Sequence, residues 1–353
     1  MGNKQSRIKD IAEKAGVSTG TVDRVIHKRG EVSPGTRKKI LDIIEELNYH
    51  PNFLASTLAS RRNYHFAVLM PAGSNQNPYW EDPLKGVLKA GKELKPYGVS
   101  LDIQTFSQND TTDFRKKGEK LLQSKPDGLL LAPVFFSESK IFLSKCLEQN
   151  LPVTFIDTQM DYQKSIRFIG QNSCQSGHVA ARLLGMGNPP DASYLVFNIA
   201  SEKDQLHHFT ERCNGFKDFF LSRKLPVNTS VYDIHTPGLE ELVQILNTVI
   251  KGEKPIAGIF VTGSKVYRIA RAMKQLGLQD LRLIGFDLVP QNIELLEEEL
   301  IDFLICQQPE EQGYLGIQTL YSVIVQKLTI DLVKYSSIDI ITRENISHYL
   351  NCT

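Results

Sequence analysis

IKDIAEKAGVSTGTVDRVIHKRGEVSPGTRKKILDIIEELNYHPNFLASTLASRR, residues 8–62, decides how the rest of the chain is read. Ile8, Ile11 and Ala12 recur at helical spacing, and Gly16 stands where that helix must stop. Ser18 then supplies an N-cap for a second helix carrying Val22, Val25 and Ile26 on one side. A helix, a glycine turn and a second helix form a helix-turn-helix, a pattern that small bundles with no nucleic-acid partner share. Val32-Ser33-Pro34 opens a third helix, with Ser33 as cap and Pro34 at the first helical position. Ile40, Ile43, Ile44 and Leu47 form its apolar stripe, and His50-Pro51-Asn52 closes the bundle before a short segment to Ser60.

Charge separates this head from the body of the chain. Residues 1–62 hold 12 Lys and Arg against 7 Asp and Glu, whereas the remaining 291 residues hold 29 against 33. The net charge of +1 for the 353-residue chain therefore hides a basic head on a mildly acidic body, the asymmetry of a nucleic-acid-binding appendage. No apolar run approaches the roughly 18–20 residues that span a bilayer. MGNKQSR at the start has no apolar segment either, so no secretory leader and no membrane partner are expected. The five cysteines, 146, 174, 213, 306 and 352, form no CxxC pair, which suggests reduced thiols in a cytoplasm rather than a disulfide frame or a zinc site.

From about residue 65 the pattern becomes α/β. HFAVLMP, VSLDIQTF, DGLLLAP, LPVTFID, IRFIG, ASYLVFN, SVYDIH, IAGIFV, LRLIGFD and LIDFLICQ read as short strands. Helical stretches separate most of them: 83–95, 112–123, 138–149, 176–186, 211–222, 239–250, 265–276 and 310–326. This alternation gives parallel sheets flanked by helices, and so many strands suggest two lobes rather than one large sheet. Such sheets bind ligands at the carboxyl ends of their strands. The residues there are Asn77-Pro78-Tyr79-Trp80, Asp157-Thr158, Gln171-Asn172, Asp287 and Gln307. An aromatic pair with short carboxylates and amides is the chemistry of a sugar pocket: rings stack on C–H faces, and the polar groups satisfy hydroxyls. P-loop, GxSxG and HExxH motifs are absent from the sequence, so neither catalysis nor a cofactor or metal is expected.

The runs IKDIAEKAGVSTGTVDRVI, VSPGTRKKI and LNYHPNFLASTLASR together resemble, without a gap, the DNA-binding head of the lactose-repressor (LacI/GalR) family. The resemblance implies that Thr19, Gly20 and Arg24 reach base edges in the major groove, where an Arg can fork onto guanine O6 and N7. It also implies a hinge helix in the minor groove containing Asn52, Ala55 and Leu58, the last as a wedge between base steps. Asp23 departs from the family's usual Ser, which leaves the preferred DNA sequence open. Residues 65–345 resemble the family's sugar-binding core and the periplasmic sugar-binding proteins. That resemblance places a ligand at Asn77, Tyr79, Trp80, Asp157, Asp287 and Gln307, and Thr158 and Thr210 are counted with them among the expected contacts. Three pocket positions depart from the family: its Asn becomes Ala132, its Arg becomes Thr210, and its Asn-Asp pair becomes Gly263-Ser264.

The expected organisation is a helix-turn-helix domain over 1–50 and a hinge over 51–62. A two-lobed periplasmic-binding-protein-like core occupies 63–353, with one lobe at about 63–171 and 309–330 and the other at about 172–308 and 331–353. The implied protein is a cytoplasmic, homodimeric transcriptional regulator of pseudo-palindromic operator DNA, controlled by a carbohydrate effector. A solute-binding component of a transport system is the alternative, and it predicts a secretory leader and no basic head.

Overall fold

The structure is a computed structural model that describes residues 8–26, 30–47, 62–74, 78–160, 166–200, 207–235, 238–251 and 255–350. The expected hinge contacts Asn52, Ala55 and Leu58, and the pocket residue Asn77, lie outside these residues. The chain divides into two compact units, 1–62 and 63–353.

In the first unit, helix α1 (Ile8–Ala15) ends at Gly16, whose φ of +69° is the left-handed conformation that a side chain disfavours. The amide of Val17 returns to the carbonyl of Ala12, so the turn satisfies its own backbone. Helix α2 (Thr19–Ile26) starts on Ser18, whose hydroxyl accepts from the Thr21 amide at 3.2 Å. Helix α3 (Pro34–Glu46) starts on Ser33, which accepts from the Thr36 amide. Ile11, Val22 and Ile40 are fully buried where the three helices meet, and a head this small depends on that contact.

In the second unit, strands and helices alternate from β1 (Tyr64–Pro71) through α4 (Glu81–Leu94), β2 (Val99–Phe106), α5 (Thr111–Gln123), β3 (Gly128–Leu131) and α6 (Phe136–Glu148) to β4 (Val153–Ile156) and β5 (Arg167–Gly170). The chain then crosses to a second sheet through α7 (Ser173–Gly185), β6 (Ser193–Ala200), α8 (His207–Leu221), β7 (Asn228–His235), α9 (Leu239–Ile250), β8 (Ile256–Val261), α10 (Val266–Leu276), β9 (Arg282–Phe286), α11 (Pro290–Glu297) and β10 (Phe303–Cys306). It returns to the first lobe as α12 (Pro309–Ile324) and β11 (Val333–Tyr335), and ends in the second with β12 (Asp339–Ile341) and α13 (Ile346–Leu350). The sheet orders are β11-β5-β4-β3-β1-β2 and β12-β10-β9-β8-β6-β7, parallel except where β12 joins β10. The central strands of each sheet are buried on both faces, which is why β3 reads as an unbroken apolar run and β1 and β6 as largely apolar ones. Among the described residues no helix is long and apolar enough to cross a membrane.

One expected lobe boundary moves. Val333–Tyr335 pairs in parallel with β5 in the first sheet, with Val333 opposite Phe168, so the last crossover lies at 336–338 rather than at 331. Three half-exposed residues carry no period of their own; edge pairing and the Tyr335 ring against Phe168 at 6.2 Å determine their strand.

In each lobe, glycines bring two helices into close backbone contact. A Cβ on Gly215 would stand 2.0 Å from the Cys174 carbonyl, and one on Gly177 would stand 2.1 Å from the Arg212 carbonyl. Gly86 and Gly313 play the same part between α4 and α12. Backbone on both sides leaves nothing flexible to move aside. Gly215→Ala is accordingly expected to destabilise the core by about 1–3 kcal/mol, read as a lower urea midpoint, because α7 and α8 must part. An unchanged midpoint would contradict that packing.

Candidate functional site

Asp157 directly follows β4 and Asp287 directly follows β9, at matching positions in the two lobes and both with left-handed backbone, φ +67° and +69°. Asp tolerates that conformation, and the turn swings each carboxylate off its strand towards the space between the lobes. The backbone around each is held. The Asp157 amide donates to Gln312 Oε1 at 2.9 Å, while Asn292 Nδ2 donates to the carbonyls of Asp287, Phe286 and Ser264 at 2.9–3.0 Å.

Between them lies a cleft enclosing about 580 Å³ of space, part of it open to solvent. From the first lobe come Tyr79, Trp80, Gln108, Val134 and Asp157; from the second come Ile199, Ala200, Phe209, Arg212, Gly263, Ser264, Lys265, Asp287 and Gln307. Of the sequence-expected contacts, Tyr79, Trp80, Asp157, Asp287 and Gln307 therefore meet in one place. Thr158 does not line the cleft: it is buried behind Asp157 and donates its hydroxyl to Asp157 Oδ2 at 2.9 Å.

Thr210 is corrected. It is exposed on α8, and the residue of that helix that enters the cleft is Arg212, half a turn further on and only 3 % exposed. The arginine expected to be lost is present, three residues before Gly215 rather than five. The missed signal is an arginine on the apolar stripe of Phe209, Cys213 and Phe216, where a charge is costly without a partner to hold.

Arg212 organises the site. Its guanidinium donates to the Thr262 carbonyl and to Gln307 Oε1, both at 2.6 Å, and its centre lies 3.8 Å from the centre of the Phe286 ring. Gln307 passes the chain on, donating through Nε2 to Asp287 Oδ1 at 2.9 Å. Tyr79 donates its hydroxyl to Asp157 Oδ1 at 2.7 Å and packs edge-on against Trp80. Arg212 Nε is buried and has no hydrogen-bond partner among the described residues.

Burial dominates the electrostatics. It raises the Asp287 carboxyl to about 7, against the lowering pull of Arg212 and Gln307. It raises Asp157 as well, with Tyr79 and Arg212 opposing, and lifts the Tyr79 phenol well above its ordinary value. Burial also lowers Lys265 to about 8, with Arg268 adding to the effect. The cleft thus offers acceptors on two reluctant carboxylates, an unsatisfied donor on Arg212 and an aromatic corner. Such a set suits a small polyhydroxylated molecule.

On the head, Thr19, Gly20 and Arg24 are exposed along α2, with Gly20 and Arg24 one turn apart on one face. Val22 and Val25 hold the opposite face in the core.

Comparison with known proteins gives two family matches. Residues 7–52 match the model for bacterial regulatory proteins of the lacI family, and residues 66–328 match the periplasmic binding protein domain. A ribose operon repressor from Haemophilus influenzae is 27% identical over 323 residues, 89% of this chain and 90% of that protein. The transcriptional repressor PurR of Aliivibrio fischeri is 25% identical over 97% of this chain and 99% of its own length. A crystal structure from Bacteroides fragilis described as a LacI transcriptional regulator superposes with a TM-score of 0.75 at 29% identity, covering 82% of this chain and all of that one. The chain therefore belongs to the LacI family of bacterial regulatory proteins, in which a DNA-binding head is joined to a ligand-binding core of the periplasmic-binding-protein kind.

Proposed function

We propose that this regulator is a cytoplasmic repressor. It acts as a homodimer on pseudo-palindromic double-stranded operator DNA, and a monosaccharide or close derivative held between the lobes sets its affinity for that DNA. The observation that carries the effector class is the buried Arg212 Nε, without a partner among the described residues, on a wall shared with Asp287 and Asp157 and beside Trp80. An unpaired buried donor is costly, and a ligand oxygen would satisfy it. Ligand hydroxyls would in turn donate to the carboxylates, and C–H faces would lie on the aromatic corner. That one relative is named a ribose operon repressor brings pentoses into the first panel of candidates. The reading of DNA by Thr19, Gly20 and Arg24, with Asn52, Ala55 and Leu58 in the minor groove, belongs to the same proposal. So does chemistry confined to binding, with no catalytic step. Two-fold symmetry of the protein would then be mirrored in the half-sites.

The test pairs two measurements. D-ribose, D-arabinose, D-galactose and D-glucose are screened by thermal shift; one of them, at 100 times its Kd, is expected to stabilise the protein by about 2.7 kcal/mol. Footprinting titrations of DNA upstream of the gene, with and without that sugar, are expected to show a protected palindrome for which the affinity changes 5- to 150-fold, the range of about 1–3 kcal/mol of coupling. Absence of any protected site at moderate salt would overturn the operator reading, and a panel with no stabilising sugar would overturn the effector class.

A further inference from the structure

The two lobes are joined by three short crossings: Gln171 between β5 and the N-cap Asn172 of α7, Gln307-Gln308 between β10 and α12, and residues 336–338 between β11 and β12. As a strand-end residue Gln171 is expected among the cleft contacts, yet it does not line the cleft. It is 3 % exposed and lies where the crossings meet. Its one amide nitrogen donates to the Cys306 carbonyl at 3.1 Å and to the Ser337 carbonyl at 3.0 Å. Both of its hydrogens are thus spent on the other two crossings.

We propose that Gln171 is a positioning residue for the effector response, a latch whose single amide fixes the angle between the lobes and passes effector contact to the three crossings. This rests on the reading of the cleft as the effector site.

The argument is one of connectivity. The carbonyl of Cys306 is held by Gln171, and the next residue, Gln307, sends its side chain into the cleft to Arg212 and Asp287. The Gln307 carbonyl is held in turn by Gln312 Nε2 at 2.8 Å and by the Ser336 hydroxyl at 3.3 Å, and Gln312 also holds the Asp157 amide. A force on the Arg212–Gln307–Asp287 chain therefore reaches all three crossings through hydrogen bonds one or two residues long. A change of lobe angle rotates the crossings against each other, and both bonds of the Gln171 amide are sensitive to that rotation because their acceptors sit on different crossings. Its Oε1 is buried without a partner among the described residues, where the side chain is held by its donor end. A residue present only to fill space would not need an amide at this point.

Gln171→Met keeps the volume and removes both donors together with the unpaired oxygen; Gln171→Asn keeps the amide but is too short to reach both carbonyls. Hydrogen exchange in the ligand-free full chain is expected to be at least tenfold faster in Gln171→Met across residues 303–308 and 333–341, with α4 and α5 unchanged. With D-ribose, or the panel sugar that binds, the sugar-dependent ratio of operator affinities is expected to fall at least fivefold while the sugar-free affinity stays within twofold. Asn should give an intermediate ratio, and it serves as the test should Met not fold. Unaltered exchange at the crossings together with an unaltered ratio in a folded variant overturns the latch. A loss of basal operator affinity in proportion to the ratio overturns it too, since that marks general destabilisation. If no sugar binds the parent protein, the effector reading fails separately and exchange at the crossings alone decides the latch.

Discussion

Arg212→Met is expected to abolish calorimetric binding of the effector and to lower the unfolding free energy at pH 8 by about 3–5 kcal/mol, the cost of leaving buried charge without its partner. Arg212 is the cation that opposes the upward push of burial on both Asp287 and Asp157. Removing it raises both carboxyls further. A raised acid contributes stability that is full below its unfolded value and lost as pH rises through its folded value. The loss in the variant should therefore be small at pH 5, where Asp287 is protonated, and large at pH 8. Urea denaturation at the two pH values measures this. Methionine keeps much of the contact with Phe286, so equal losses at both pH values would mean that the arginine acts by packing on that ring rather than by charge.

The α/β body is legible because its signals are local. A run such as IAGIFV, buried on both faces, needs no tertiary knowledge to be read as a strand, and the observed β8 has the same ends. The caps at Ser18 and Ser33 are equally local, since each rests on a hydroxyl and an amide three residues away. The misread features are non-local. The three residues of β11 become a strand only because β5 lies beside them. Counting back from Gly215-Phe216 selects Thr210, whereas the face that enters the cleft is set by how closely α7 approaches α8 at Gly177 and Gly215. Helical geometry places Arg212, one turn beyond the cleft-lining Phe209, on the inward side and leaves Thr210 outside.

The same distinction separates residues that come after strands. Asp157, Asp287, Gln307 and Gln171 all stand just after a strand, and sequence alone treats them as equivalent. The first three point into the cleft, while Gln171 points into the joint between the crossings. For the two aspartates the difference lies in where the chain goes next; Gln307, which itself stands on a crossing, is held in the cleft by Arg212 and Asp287. After Gln171 the chain leaves its lobe at once for the N-cap of α7, so its side chain has the other crossings around it. Asp157 and Asp287 are succeeded by chain that stays in the same lobe, and a left-handed turn exposes the carboxylate to the cleft.

Asp287→Asn should separate stability from function in a single substitution. In the ligand-free protein burial holds this carboxyl at about 7, far above its ordinary 3.8. Its contribution to stability is therefore full below about pH 4 and lost as pH rises through about 7. Asparagine never ionises, and its carbonyl can still accept from Gln307 Nε2. The variant should be more stable than the parent at pH 8 by about 2–4 kcal/mol, with the gap closing near pH 4. Effector binding should move the other way. A hydroxyl donating to an ionised carboxylate is worth about 1.5–3 kcal/mol, so the variant should bind about 100-fold more weakly at pH 8. In the parent, roughly one tenth of the molecules carry the charged form at pH 6 and about nine tenths at pH 8, so affinity should rise about tenfold between them. That slope should flatten in the variant. Titration calorimetry at the two pH values, beside thermal melts of both proteins, gives all four numbers. An undiminished affinity in Asp287→Asn would remove this residue from the effector contacts. A parent whose affinity falls with pH would mean that the protonated carboxyl donates to the ligand. A carboxylate that costs the empty fold stability and strengthens the occupied one is the expected mark of a site shaped for its ligand.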